Sequence, residues 1–191
     1  MRKVLLMALC FLVFGSTAFA LDMVIGGGGL FGWAKEKYHN NPKDDPSYIH
    51  DVDATVFGGF VFFGLNRYME ASIAVYAGNN EYVDTPGGPG EALSTQVGVS
   101  LFFKRPFDLG KYFVIFPTLG LDAQNNVGGL DLWLCGGLGM DIFFGERLFL
   151  RAQGIYRAGA LMLYKGSLNE YTETEFPAHG PLFKLGLGWM Y

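Results

Sequence analysis

Phe183-Lys184-Leu185-Gly186-Leu187-Gly188-Trp189-Met190-Tyr191 closes the chain. Successive side chains of a β-strand point to opposite faces, so Phe183, Leu185, Leu187, Trp189 and Tyr191 share one uninterrupted apolar face. Lys184, Gly186, Gly188 and Met190 share the other. The same alternation recurs upstream. Leu93, Val97, Val99, Leu101 and Phe103 stand opposite Ser94, Gln96, Gly98, Ser100 and Lys104, and Leu130, Leu132, Leu134, Leu138, Met140 and Ile142 stand opposite Asp131, Cys135, Gly137, Gly139 and Asp141. Met69, Ala71, Ile73, Val75 and Ala77 oppose Glu70 and Ser72, while Leu148, Leu150 and Ala152 oppose Arg151, Gln153 and Arg157.

Strand-like runs cover Asp22 to Trp33, Asp53 to Leu65, Arg67 to Asn79, Ala92 to Phe103, Tyr112 to Ala123, Leu130 to Phe144, Leu148 to Ala160 and Gly180 to Tyr191. Each is long enough to cross a bilayer as a tilted strand, for which roughly 9 to 11 residues suffice. Connections alternate in length. Ala34 to Val52, Asn80 to Glu91, Gln124 to Gly129 and Leu161 to His179 are polar loops, whereas Leu65-Asn66, Lys104 to Lys111 and Gly145-Glu146-Arg147 are mostly tighter turns. In the second strand Phe57 to Phe63 is apolar on both parities. A two-residue Leu65-Asn66 turn there sends Phe60 and Phe62 outward and Asp53 and Thr55 inward.

Half of the residues are hydrophobic, yet no segment of the mature chain approaches the roughly 20 uncharged apolar residues of a helical span. Glycine at 28 of 191 residues and aromatics at 16% suit strands joined by turns. Which face looks outward follows from energy. If Arg151, Arg157 and Lys184 met lipid, each would cost ~2–4 kcal/mol near the midplane, a sum comparable with a whole folding free energy of ~5–15 kcal/mol. Turned inward, Glu70, Asp131 and Asp141 balance Arg151, Arg157 and Lys184 within a narrow lumen. A soluble, lipocalin-like barrel would need a water-facing outside, and this polar face is dominated by small residues with few charges. Phe62, Phe63, Tyr68, Phe102, Phe103, Tyr112, Phe113, Phe143, Phe144, Phe149, Trp189 and Tyr191 sit beside the turn ends, where an interfacial aromatic girdle belongs.

The other terminus carries an address. Met1-Arg2-Lys3 is positive, Val4 to Phe14 is apolar, and Ala18-Phe19-Ala20 makes an A-x-A cleavage pattern, so residues 1–20 read as a secretory signal peptide and 21–191 as one barrel domain. Loss of Arg2 and Lys3 moves the formal charge from −4 to −6, which argues against nucleic acid as a partner. The mature chain keeps the single Cys135, which excludes an internal disulfide.

The last eight residues resemble the C-terminal signal recognised by the β-barrel assembly machinery, with matching positions at Lys184, Gly186, Trp189 and Tyr191; Tyr stands where Phe is commonest. In architecture the chain resembles the eight-stranded outer-membrane family that includes OmpX, OmpW and the transmembrane half of OmpA. The resemblance implies an all-β, antiparallel, up-and-down transmembrane barrel of about eight strands. It also implies a bacterial outer-membrane location, both termini in the periplasm, and a monomer that touches outer-membrane lipids and, during biogenesis, the assembly machinery.

Site residues are expected inside that barrel. A hairpin turning on Gly145-Glu146-Arg147 sets Asp141 across from Arg151 as an ion pair, with Glu70 at similar depth and Asp131 and Arg157 toward the outer end. Glu70, Asp131, Asp141, Arg151, Arg157 and Lys184 thus form the expected lumen charge network, a structural plug or, alternatively, part of a gated path. His50, Asp51 and Asp53 cluster in sequence and His179 starts the last strand, which raises a lipid A acyltransferase or deacylase as a third reading, without a matching motif. Gly26-Gly27-Gly28-Gly29 lacks a following GK[ST] and reads as close backbone packing. The acidic loops show no dedicated calcium spacing. No catalytic residues, cofactor or metal are expected. The functional expectation is a structural or surface-interaction role, with a narrow pore for small or apolar solutes as the alternative.

Overall fold

A computed structural model describes residues 23–39, 49–82, 90–126, 129–164 and 179–191. The signal segment with Ala18 and Ala20 lies outside the described residues, as do the central parts of the long connections. Nine strands run in order: β1 (Val24–His39), β2 (Ile49–Asn66), β3 (Met69–Tyr82), β4 (Gly90–Lys104), β5 (Phe107–Asp108), β6 (Phe113–Asn126), β7 (Gly129–Phe144), β8 (Leu148–Tyr164) and β9 (His179–Met190). Each long strand pairs antiparallel with its neighbours, β4 pairs β6, and β9 returns to β1, so eight long strands close a barrel and the two-residue β5 lies alongside β6. Closure leaves no sheet edge where β4 meets β6, from Val97 to Lys104, as hydrocarbon requires because it satisfies no backbone group; from Gly90 to Gln96 β4 pairs only with β3 among the described residues.

Period-two faces place the chemistry. Phe183, Leu185, Leu187, Trp189 and Tyr191 are exposed, whereas Lys184, Gly186 and Gly188 are buried. Ile73, Val75, Val97, Val99, Leu134 and Leu138 likewise look out. The outward face of β9 runs from His179 to Tyr191; at ~3.3 Å per residue and ~40° tilt it stands ~30 Å tall, the thickness of a hydrocarbon core.

The second strand departs from expectation. Gly64 pairs Glu70 while Asn66 pairs Met69, so Leu65 is a bulge and the turn falls on Arg67-Tyr68, held by Tyr68 N–H donating to Asn66 Oδ1 at 2.7 Å. One extra residue inverts the face of everything before it. Phe60 and Phe62 therefore point into the lumen, at 6% and 0% exposure, and Asp53 and Thr55 face outward. Phe102 and Phe149 also turn inward, so these rings leave the girdle; Phe63, Tyr68, Phe103, Tyr112, Phe113, Phe144, Trp189 and Tyr191 remain exposed in it.

The inward rings explain the glycines. A Cβ on Gly26 would collide with the Phe62 ring, one on Gly188 with Phe149, and one on Gly139 with Phe116, while on Gly28 it would strike the Leu185 backbone. Gly26, Gly27 and Gly28 are close-packed, as expected, while Gly29 has room for a Cβ, its nearest neighbour Gly58 O at 3.8 Å. Strands also outlast their apolar stretches. Backbone pairing continues to His39 opposite Ile49 and to Tyr82 opposite Gly90, through residues whose polarity suggested loop, because ladder hydrogen bonds are indifferent to side-chain polarity.

Candidate functional site: a lumen filled with ion pairs

Both described chain ends and the short turns share one end of the barrel, here the turn end; the long connections leave from the loop end. Near the turn end Asp141 and Arg151 face each other across the β7–β8 ladder. The hairpin turn that sets this register begins at Gly145, whose φ of 88° suits a residue without Cβ. Arg151 grips Asp141 bidentately, Nε to Oδ1 and Nη2 to Oδ2, both at 2.7 Å, and its Nη1 donates to Glu70 Oε2. Lys104 Nζ donates to the same Glu70 oxygen at 3.0 Å. Rings close the cage: the guanidinium carbon lies 4.4 Å from the Phe62 centroid, 5.1 Å from Phe116 and 5.2 Å from Phe149. A pocket of about 250 Å³, lined by Lys104, Asp141, Phe149 and Arg151, adjoins this cluster at the turn end.

At mid-height the centre is Asp122, which the sequence reading did not single out. It accepts from Ser100 Oγ at 2.9 Å, Tyr76 Oη at 3.0 Å and Gln124 Nε2 at 2.7 Å. The outward pair Leu119 and Leu121 carried the signal, since their alternation turns Asp122 inward. Lys184 Nζ donates to Ser72 Oγ at 3.4 Å and sits over the Phe60 and Phe102 rings at 5.2 and 5.0 Å.

Toward the loop end Arg157 is enclosed by rings instead of carboxylates. Its guanidinium lies 5.0 Å from Trp133 and 6.0 Å from Tyr76, and its Nε and Nη1, like Trp133 Nε1, are buried with no hydrogen-bond partner among the described residues. Asp131 is buried in the same region. Cys135 is a buried free thiol, pointing at the Trp133 carbonyl at 3.8 Å, a small filler.

All six expected network residues are thus buried in the lumen, and Lys104 and Asp122 join them. Among the described residues Glu70, Asp122, Asp131 and Asp141 match Lys104, Arg151, Arg157 and Lys184 in number, so their charges cancel. Glu70, Asp141 and Arg151 form one cluster, while Lys184 and Arg157 stand apart from it. With Arg151 and Arg157 at 1% exposure and Phe62 at 0%, the interior is packed.

The backbone register sets His50 and His179 on opposite neighbours of β1. His50 pairs with Tyr38 and His179 with Lys35, three positions apart along β1, which is ~10 Å. His179 instead receives Tyr156: Oη and Nδ1 are 2.8 Å apart and the rings stack at 6.0 Å. Among the described residues no three His, Cys, Asp or Glu gather to hold a metal. Of the C-terminal pattern, Lys184 and Gly186 face the lumen while Trp189 and Tyr191 face out, and Tyr191 N–H donates to Met23 O at 2.9 Å beside the β1–β9 seam.

An apolar wall around a charge-neutral, filled lumen, closed by eight antiparallel strands, decides the architecture. The chain has the fold of an outer-membrane β-barrel. Its structure is similar to the outer membrane protein OprG from Pseudomonas aeruginosa, with a TM-score of 0.58 at 12% identity, covering 91% of this chain and 97% of that one. Neisserial surface protein A matches over 88% of this chain and 97% of that one, at 9% identity and a TM-score of 0.45. No protein-family model matches the sequence, and no curated protein does.

Proposed function

We propose that this protein is an integral outer-membrane barrel whose lumen is sealed by buried ion pairs, and that it serves the envelope structurally and through its outer loops. The observation that carries the reading is Arg151, clamped by Asp141 and Glu70 inside a cage of three rings, directly above the turn-end pocket. Removing one member of such a buried set leaves an uncompensated charge, so the cluster resists opening. In this reading the turn end and both termini face the periplasm, because outer-membrane barrels keep short turns there and long loops outside. The finer kinship to the OmpX and OmpW group belongs to the same proposal. It is supported by the strand number and by the C-terminal pattern on Lys184, Gly186, Trp189 and Tyr191.

Planar-bilayer recording on the refolded mature chain tests the seal. The wild-type barrel shows no discrete conductance steps, whereas Arg151→Ala, which empties the middle of the cage, produces them. Regular steps from the wild type would reverse the assignment in favour of a pore.

A further inference from the structure

On the outer wall the apolar shell dips over β8. Its outward positions there are Ala152 and Gly154, flanked by Leu138 and Met140 on β7 and by Phe183 and Leu185 on β9, and the dip is part of a groove of about 760 Å³ that runs across the strands from Ile115 on β6 to Phe31 on β1. Gly154 keeps it open: the edge of the Phe183 ring lies 3.6 Å from where a Gly154 Cβ would stand, so a larger side chain would fill the space beside that ring.

Climbing β8 toward the loop end, the next outward residue is Tyr156, bonded to His179. His179 pairs with Lys35 on β1, and Lys35 pairs with Asp53 on β2, its Nζ 3.8 Å from Asp53 Oδ1. A polar row thus runs across neighbouring strands of the wall. Trp33 lies just below it against Phe183, ring centroids 6.0 Å apart, where interfacial aromatics sit. From His179 down to Leu185 is ~20 Å along the strand, or ~15 Å along the membrane normal at ~40° tilt, which is half of a hydrocarbon core.

A row of hydrogen-bonding groups with an apolar groove below it, the groove's lower end half a hydrocarbon core away, matches a lipid, headgroup on the row and an acyl chain reaching down into the groove. The row favours an anion. The Lys35 ammonium is exposed, and its pair with Asp53 is a loose surface pair that a phosphate can displace. When Tyr156 donates to His179 Nδ1, the Nε2–H is left to donate outward.

We propose that the β7–β8–β9 groove and the Lys35–His179–Tyr156 row form a binding site for a phosphorylated glycolipid of the outer leaflet. One acyl chain lies over Ala152 and Gly154, and a phosphate sits at Lys35 and His179. The choice of leaflet rests on the orientation given under Proposed function; the groove and row do not.

Native mass spectrometry of the mature barrel in detergent, mixed separately with lipid A, phosphatidylglycerol and diacylglycerol, tests the site. Lipid A is retained one per barrel, phosphatidylglycerol at least tenfold more weakly, and diacylglycerol not at all. Gly154→Leu, which fills the groove, and the double variant Lys35→Gln with His179→Gln each lower lipid A retention at least tenfold. Both variants keep the heat-dependent gel shift of a folded barrel, since all three positions face outward. Loss of lipid A retention in the wild type, retention unmoved by Gly154→Leu, or equal retention of phosphatidylglycerol overturns the proposal while leaving the barrel reading intact. A wild-type chain that is monodisperse without any amphiphile overturns both.

Discussion

Arg151 and Arg157 stand six residues apart on one strand, point into the same lumen and are both 1% exposed, yet they are held by different physics. Arg151 spends its hydrogen bonds on Asp141 and Glu70. Arg157 lies among the faces of Trp133 and Tyr76, with Nε and Nη1 unbonded. A carboxylate cage makes a guanidinium hard to remove, because its partners are then stranded as buried charges. The rings that enclose Arg157 carry no charge of their own to strand. The turn end of the lumen is therefore the locked end, and the loop end is the tolerant one.

The largest expected effect is that of Arg151→Ala, which leaves Glu70 and Asp141 with Lys104 alone and costs about 3–5 kcal/mol in urea unfolding of the barrel in lipid vesicles. Adding Asp141→Asn removes the stranded carboxylate while Glu70 stays paired with Lys104, and recovers most of that loss. Next comes Gly26→Leu, which drives a side chain into the Phe62 ring that packs on Arg151; it costs about 1–3 kcal/mol by overpacking, measured the same way. Arg157→Met keeps apolar bulk between Trp133 and Tyr76 and removes two unbonded donors, so its stability stays within about 1 kcal/mol of wild type or rises. A loss from Arg157→Met as large as that from Arg151→Ala would erase the distinction between the two ends. Smallest of all is Trp133→Phe, which keeps an aromatic face over Arg157 and deletes an unbonded N–H, with a change below about 1 kcal/mol in the same assay.

The locked end was the more legible in sequence. A turn at Gly145-Glu146-Arg147 fixes the pairing of Asp141 with Arg151 by counting alone, and Glu70 follows from its depth on β3. Lys104 and Asp122 were within reach of the same alternation, through Phe103 and through Leu121. Arg157 was placed correctly in the lumen, but its ring partners depend on the curvature of the closed barrel, which no local pattern encodes. The register of β2 was not legible because Phe57, Phe60, Val61, Phe62 and Phe63 are apolar on both parities. With neither face marked, the bulge at Leu65 decides, and it belongs to the turn. Strand ends were read short where Glu36 pairs with Val52 and Lys37 with Asp51 to continue the ladder, since polarity marks where the oily band stops and not where pairing stops.

Three tryptophans report directly on whether oily side chains of the outer wall contact hydrocarbon while the ionic ones are enclosed. Trp33 and Trp189 are outward, at 45% and 39% exposure near opposite ends of the wall, and Trp133 is in the lumen at 2%. Single-tryptophan variants, made with phenylalanine at the other two positions and refolded into vesicles of brominated phospholipid, separate the two faces by fluorescence quenching. Strong quenching of Trp33 and Trp189 with Trp133 nearly unaffected is the predicted result; Trp133 quenched as strongly as the other two would contradict the account.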